Sequence, residues 1–206
     1  MPVVLEKEIV SSVSVCLWHI SETEDFFWEY LKLSDTDANA IRQCKLRSRR
    51  LEKLACRAAL SHLLQNSCVN VQYDQHGKPV IAGFHLSFSH SKNVVAVAVS
   101  TRSALGIDIE PVQERILSLY SKFLNDEECR KFDVTDKKQL HFCWGAKEAI
   151  YKYCGGNVSD YVNHITLDDY SKNEGLGRFM MNEQWVEINL SAIEWNQYLM
   201  VIAYKR

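Results

Sequence analysis

The strongest constraint on this chain is a pattern that it states twice. Residues 47–64, RSRRLEKLACRAALSHLL, set Leu51, Leu54, Ala55 and Ala58 on one helical stripe and Arg50, Lys53 and Arg57 on another. A turn-like DQHGKP (74–79) follows, and then HLSFSHSKNVVAVAVS (85–100), whose second part reads as a strand. The second half repeats the order. KKQLHFCWGAKEAIYKYC (137–154) reads as a helix stopped by Gly155-Gly156, and YLMVIAYK (198–205) reads as an apolar strand. The expected class is therefore α+β, with two similar αβ lobes related by a pseudo-twofold. The lobes are expected at 1–104 and 105–206, joined near residues 101–106.

Composition narrows the class further. With 206 residues, 47% hydrophobic and 24% charged, the chain suits a globular core. Only three prolines and eight glycines occur, and no Ser- or Pro-rich linker separates the halves. A net charge of −2 gives no overall attraction for nucleic acid or an anionic membrane. No run of about eighteen apolar residues could span a bilayer. The N-terminal MPVVLEKEIV carries Glu6 and Glu8 where a secretory signal needs an apolar core. Seven scattered cysteines without a CxxC pair suit reduced thiols, and the expected location is cytoplasmic.

Residues 105–111, LGIDIEP, form a strand-like stretch with acids at alternate positions. In a strand, i and i+2 share a face, so Asp108 and Glu110 project together while Ile107 and Ile109 project oppositely. Two carboxylates so close repel each other, and burying either is costly without a compensating cation. Glu148 and Lys152, spaced i,i+4 on the 137–154 helix, suit an exposed ion pair. The apolar setting of Trp144, Ala146, Ala149, Ile150 and Tyr151 favours partial burial instead. Asp108, Glu110 and Glu148 together offer the few carboxylates that Mg²⁺ prefers, and a nearby lysine suits phosphoryl chemistry.

Other segments admit two readings each. LSFSHS (86–91) places Ser87, Ser89, His90 and Ser91 at the mouth of a strand, either as phosphate contacts or as a polar capping turn. His90 is a poor candidate for a Ser-His-Asp base, since no GxSxG elbow occurs. Arg42, Lys45, Arg47, Arg49, Arg50, Lys53 and Arg57 face a single acid, Glu52. They make either a solvated helix face or an anion-capturing one. Lys78 in the GKP turn adds a further cation. No P-loop or GxGxxG is present.

GKPVI…FHLSFSHS, LGIDIEP and WGAKEAIYK, in that order, resemble the 4′-phosphopantetheinyl transferases, in particular the longer, monomeric, surfactin-synthetase-activating (Sfp) type. The likeness spans about residues 45–205. It implies transfer of the phosphopantetheine arm of coenzyme A to a serine of an apo acyl or peptidyl carrier protein, with release of adenosine 3′,5′-bisphosphate. It further implies two αβ lobes with the active site between them. Asp108, Glu110 and Glu148 would bind Mg²⁺. Glu148 would also take the serine's proton, and Lys152 would stabilise the leaving bisphosphate. Arg57 would grip the 3′-phosphate, Lys78 and Pro79 would lie on the adenosine side, and Ser89 and His90 would contact phosphates. Glu127 stands where the family often has a glutamate. Residues 1–44 match no motif, and Arg42 and Lys45 align too loosely to assign.

Two other readings compete with the transferase. A Mg²⁺-dependent pyrophosphohydrolase of CoA or a nucleotide would keep the metal site, but no RExxEE-like acidic helix occurs. A carrier-protein-binding module without turnover would not need the Asp108, Glu110, Glu148 and Lys152 set.

Overall fold

Each half of the chain builds its own antiparallel sheet with one long helix packed on it. The structure, a computed structural model, describes residues 3–171 and 173–206. Contacts divide it into two compact units, Met1–Ser103 and Ala104–Arg206.

The N-terminal unit opens with a hairpin, β1 (Val3–Val10) and β2 (Val13–His19). Three helices follow: α1 (Glu24–Tyr30), α2 (Asp35–Arg42) and α3 (Arg47–Leu64). Then come β3 (Gln72–Tyr73), β4 (Pro79–Ile81), β5 (Phe84–Ser91) and β6 (Val94–Ser100). The sheet order is β1-β2-β6-β5-β4-β3. α1 and α2 start on side-chain caps, Thr23 and Ser34, that accept from backbone N–H groups three residues on. α3 ends where Gln65 turns into the left-handed region at φ 50°. The small residues Ala55, Ala58 and Ala59 are fully buried, and the apolar stripe of α3 joins Cys16, Trp18, Val95 and Val97 in one core.

The C-terminal unit begins with β7 (Leu105–Pro111), passes through two short 3₁₀ turns, and continues with α4 (Asp126–Lys131) and α5 (Lys137–Tyr153). It closes on a meander of β8 (Ile165–Ser171), β9 (Glu174–Met181), β10 (Gln184–Trp195) and β11 (Tyr198–Tyr204). Here the order is β7-β11-β10-β9-β8. Asp136 caps α5 by accepting from Lys138 and Gln139, and Gly155 and Gly156, at φ 66° and 76°, end it. Its core gathers Phe142, Cys143, Ala146, Ala149 and Ile150 against Leu199, Val201 and Ala203.

The expected α+β class is the one observed, and the repetition is more complete than the sequence suggests. In the N-terminal unit β2 pairs with the last strand, β6, and in the C-terminal unit β7 pairs with the last strand, β11; a four-strand meander runs back from each pairing, and β1 adds an edge strand to the first sheet alone. The counterpart of LGIDIEP is β2, VSVCLWH, which lies in the N-terminal stretch that matches no motif. Its alternation of Val13, Val15 and Leu17 was the available signal. Among the described residues, no helix is long and apolar enough to cross a membrane.

Candidate active site

The acids of LGIDIEP lie under α5 because a glycine lets the helix come down onto the strand. Gly106, Asp108 and Glu110 share one face of β7. A Cβ on Gly106 would stand 1.9 Å from the Ala149 carbonyl oxygen and 2.6 Å from the Tyr153 nitrogen, both backbone atoms of α5. Ile107 and Ile109 are fully buried on the opposite face. Gly145 is tight as well, with a notional Cβ 3.0 Å from Val201 Cγ2 and 3.8 Å from Asp108 Oδ2. The close approach brings the Lys152 ammonium within 2.7 Å of Asp108 Oδ1 and 2.9 Å of the Ile107 carbonyl. Lys152 thus pairs across to the strand as a positive partner for Asp108.

Glu148 sits one turn before Lys152 and accepts a 2.7 Å hydrogen bond from the Tyr161 hydroxyl. Burial lifts its carboxyl above the usual carboxylate range. The Tyr161 hydrogen bond and the Lys152 charge pull it down, while the Asp108 charge adds to the rise. A cavity of about 650 Å³ opens beside these groups, lined by Glu110, Glu148 and Tyr161. Ile116, Leu119, Phe123 and Trp144 supply its apolar wall, and Arg115 and Lys122 also border it. Such a space suits a long ligand of mixed polarity with an anionic end.

The donor chemistry of Asp108, Glu110 and Glu148 suits a hard divalent cation, since all three offer carboxylate oxygens. Among the described residues, however, no group of three or more His, Cys, Asp or Glu is arranged to hold a metal ion.

Lys147, the first lysine of WGAKEAIYK, faces the other way. It is fully buried, donates to Glu128 Oε2 at 2.7 Å and to the Val162 carbonyl at 3.0 Å, and is pushed below its usual pKa by burial. Glu128 also completes the capping box of α4 with Asn125 and accepts from the Leu167 N–H at 2.9 Å. In FLNDEE the buried acid is therefore Glu128, while Glu127 is exposed. The capping pattern N-x-x-E was the signal that separates the two.

The remaining candidates belong to the N-terminal unit. Arg57 is 1% exposed and grips Asp37 in a fork, Nη2 to Oδ1 at 2.7 Å and Nε to Oδ2 at 3.0 Å. Its Nη2 also donates to the Tyr73 hydroxyl at 3.2 Å, and the Tyr73 and Phe88 rings each lie 5.7 Å from the guanidinium carbon. Much of the basic run is likewise engaged locally. Arg49 reaches Glu52 at 2.9 Å and His90 Nε2 at 2.8 Å, Arg50 reaches Glu24 at 2.8 Å, and Arg42 covers the Trp28 ring at 4.6 Å. Ser89 and His90 are not in a turn: both lie within β5 and, as neighbours in a strand, project to opposite faces. Lys78 closes the β3–β4 turn, with its N–H on Asp74 Oδ1 at 2.9 Å, and Pro79 pairs with Tyr73.

Residues 104–203 match the family model of the 4'-phosphopantetheinyl transferase superfamily. The match falls on the C-terminal unit, which carries Asp108, Glu110, Glu148 and Lys152. No curated protein matches the chain.

Proposed function

We propose that the protein is a 4′-phosphopantetheinyl transferase of the Sfp type. It moves the phosphopantetheine arm of coenzyme A onto a serine of an apo acyl or peptidyl carrier protein and releases adenosine 3′,5′-bisphosphate. The observation that carries this reading is the cavity with Glu110 and Glu148 in its wall, built on the same strand and helix that carry the Asp108–Lys152 pair. It combines the carboxylates of Glu110 and Glu148, the cations of Arg115 and Lys122 and an apolar wall, and its lining lies within the segment that matches the transferase family.

In this reading Glu148 accepts the proton of the carrier serine hydroxyl, and burial above the usual carboxylate range makes it a better base. The serine oxygen attacks the CoA phosphorus that bears the pantetheine arm. The bond from that phosphorus to the bisphosphate breaks, and the departing oxygen keeps the electron pair. Lys152 turns from Asp108 toward that developing charge. The apolar wall of Ile116, Leu119 and Phe123 shelters the pantetheine arm from water. Asp108, Glu110 and Glu148 would hold Mg²⁺, which when bound neutralises charge on the pyrophosphate. Lys78, Pro79, Ser89 and His90 are proposed CoA contacts. The 3′-phosphate role of Arg57 requires the ligand to share a guanidinium already held by Asp37. The protein is further proposed to act as a cytoplasmic monomer.

The test is intact-mass measurement of apo carrier proteins incubated with the protein, CoA and Mg²⁺, with an EDTA control. A gain of one phosphopantetheine on the carrier, abolished by EDTA, is expected. CoA cleavage without carrier modification would replace the transferase with the pyrophosphohydrolase. Intact CoA and unmodified carriers across acyl and peptidyl types would favour a binding module.

A further inference from the structure

Tyr161 lies in the segment between α5 and β8, yet its side chain returns to the helix. Its ring centroid lies 5.8 Å from Tyr151 and 6.3 Å from Trp144. Residues 144, 148 and 151 follow i, i+4, i+7 spacing, so the ring rests along one stripe of α5 with its hydroxyl over Glu148. The hydroxyl donates to Glu148 Oε1 at 2.7 Å, and both residues line the cavity.

The backbone around Tyr161 is tied on both sides. Asp160 Oδ1 accepts from the N–H groups of Val162 at 3.1 Å and Asn163 at 3.0 Å, and the Asp160 carbonyl accepts from His164 at 2.8 Å. The Val162 carbonyl is held at 3.0 Å by Lys147, which is itself fixed by Glu128. A buried ion pair therefore anchors the residue next to Tyr161.

We propose that Tyr161 is the positioning residue for Glu148. Its hydroxyl holds Oε1, gives the carboxylate one orientation and leaves Oε2 for the work at the cavity. The buried Glu128–Lys147 pair serves this by fixing the backbone that carries Tyr161. The assignment rests on the transferase reading for its kinetic test but not for its binding test.

Tyr161→Phe keeps the ring and removes only the donor. In the full chain, kcat for carrier modification is expected to fall about ten- to hundredfold, the range of one hydrogen bond to a charged group. KM for CoA should change less than about twofold, since the ring still lines the cavity. The Tyr161→Phe/Glu148→Gln double variant should be no slower than Glu148→Gln alone, because Tyr161 acts through Glu148. A second readout is Mn²⁺ binding followed by electron paramagnetic resonance without CoA or carrier, where Tyr161→Phe should bind several-fold more weakly. Wild-type kcat and wild-type Mn²⁺ affinity in Tyr161→Phe would overturn the assignment, as would additive losses in the double variant. If the wild type modifies no carrier, the transferase reading fails alone, and the Mn²⁺ comparison still decides Tyr161. A wild type that neither modifies a carrier nor binds Mn²⁺ overturns both.

Discussion

Apart from the edge strand β1, the two units lay corresponding strands in the same order, and they use the face beneath the long helix in opposite ways. In one ladder Val13 pairs with Ser100, and in the other Leu105 pairs with Tyr204. Three steps along, Cys16 lies opposite Val97, and Asp108 lies opposite Val201. The corresponding triplets are thus Ser14, Cys16 and Trp18 under α3, and Gly106, Asp108 and Glu110 under α5. Cys16 and Trp18 belong to an apolar core. That architecture closes without an acid at either position, so Asp108 and Glu110 are carried by the second unit at an energetic cost. The polar groups of the two helices differ in kind as well. Arg57 and Asp37 satisfy each other, with both side chains 1% exposed. On α5, Lys147 and Glu128 do the same, but Lys152 remains 28% exposed on Asp108, and Glu148 faces a cavity. A pair closed on itself suits a structural role, whereas one that can still exchange partners suits chemistry.

The sharpest way to break the comparison is Gly106→Ala. The added Cβ meets the backbone of α5, which cannot step aside as a side chain can. A loss of about 4 kcal/mol or more, enough to prevent soluble expression or lower the thermal midpoint sharply, is expected. Ser14→Ala at the corresponding position should stay within about 1 kcal/mol of wild type. Similar outcomes for the two would mean that the helices do not differ in their approach.

Arg57→Ala comes next. It strands Asp37 in the core and should cost about 3 kcal/mol by denaturant unfolding, with Arg57→Met/Asp37→Leu recovering much of the loss. If Arg57→Ala instead folds normally but loses the preference for CoA over dephospho-CoA, the residue is a ligand contact and the contrast with Lys152 disappears.

Asp108→Cys places the N-terminal unit's residue at the C-terminal position. Folding should be kept within about 1 kcal/mol, since Lys152 can reach solvent, while carrier modification falls about a hundredfold or more. An unfolded variant would make the acid a structural requirement. Lys152→Met separates the two roles of that lysine. Removing an ammonium that competes for Asp108 should tighten Mn²⁺ binding a few-fold even as turnover falls about tenfold. Weaker Mn²⁺ binding would reverse that assignment.

The smallest effect concerns His141, also in the cavity wall. Its Nε2 lies 2.9 Å from the Gln113 nitrogen and 3.3 Å from the Gln113 carbonyl oxygen, and burial holds its pKa below the ordinary 6.5, with the Gln113 carbonyl pulling the other way. The unfolded chain then takes up a proton before the folded one does. The contribution to stability is complete above about pH 6.5 and is lost progressively as pH falls toward the depressed folded value. His141→Gln should flatten the stability profile over that window, and an unchanged slope would exclude His141 as its source.

Periodic and local features were legible in the sequence. The 3.6-residue stripe gave α3 its observed bounds, Arg47–Leu64, and placed α5 within one residue of its C-terminal end, Tyr153. The period-2 alternation of LGIDIEP put its two acids on one face of a strand. These follow from neighbours along the chain, whose geometry is dictated by backbone sterics. Partner choice was not legible. Spacing suggested Lys152 with Glu148, but the helix lies so close to β7 that the ammonium reaches Asp108, a residue 44 positions away. Arg57 looked like an open anion grip until Asp37, 20 positions earlier, occupied it. The family likeness singles out Glu127 in FLNDEE, but the fold buries its neighbour Glu128 against Lys147 and leaves Glu127 exposed. Sequence by itself determined the two long helices, the strands at LGIDIEP and at the ends of the two halves, and the faces they present. Tertiary structure decided which charges are consumed in the fold and which remain for chemistry, because burial and pairing depend on distances that only packing sets.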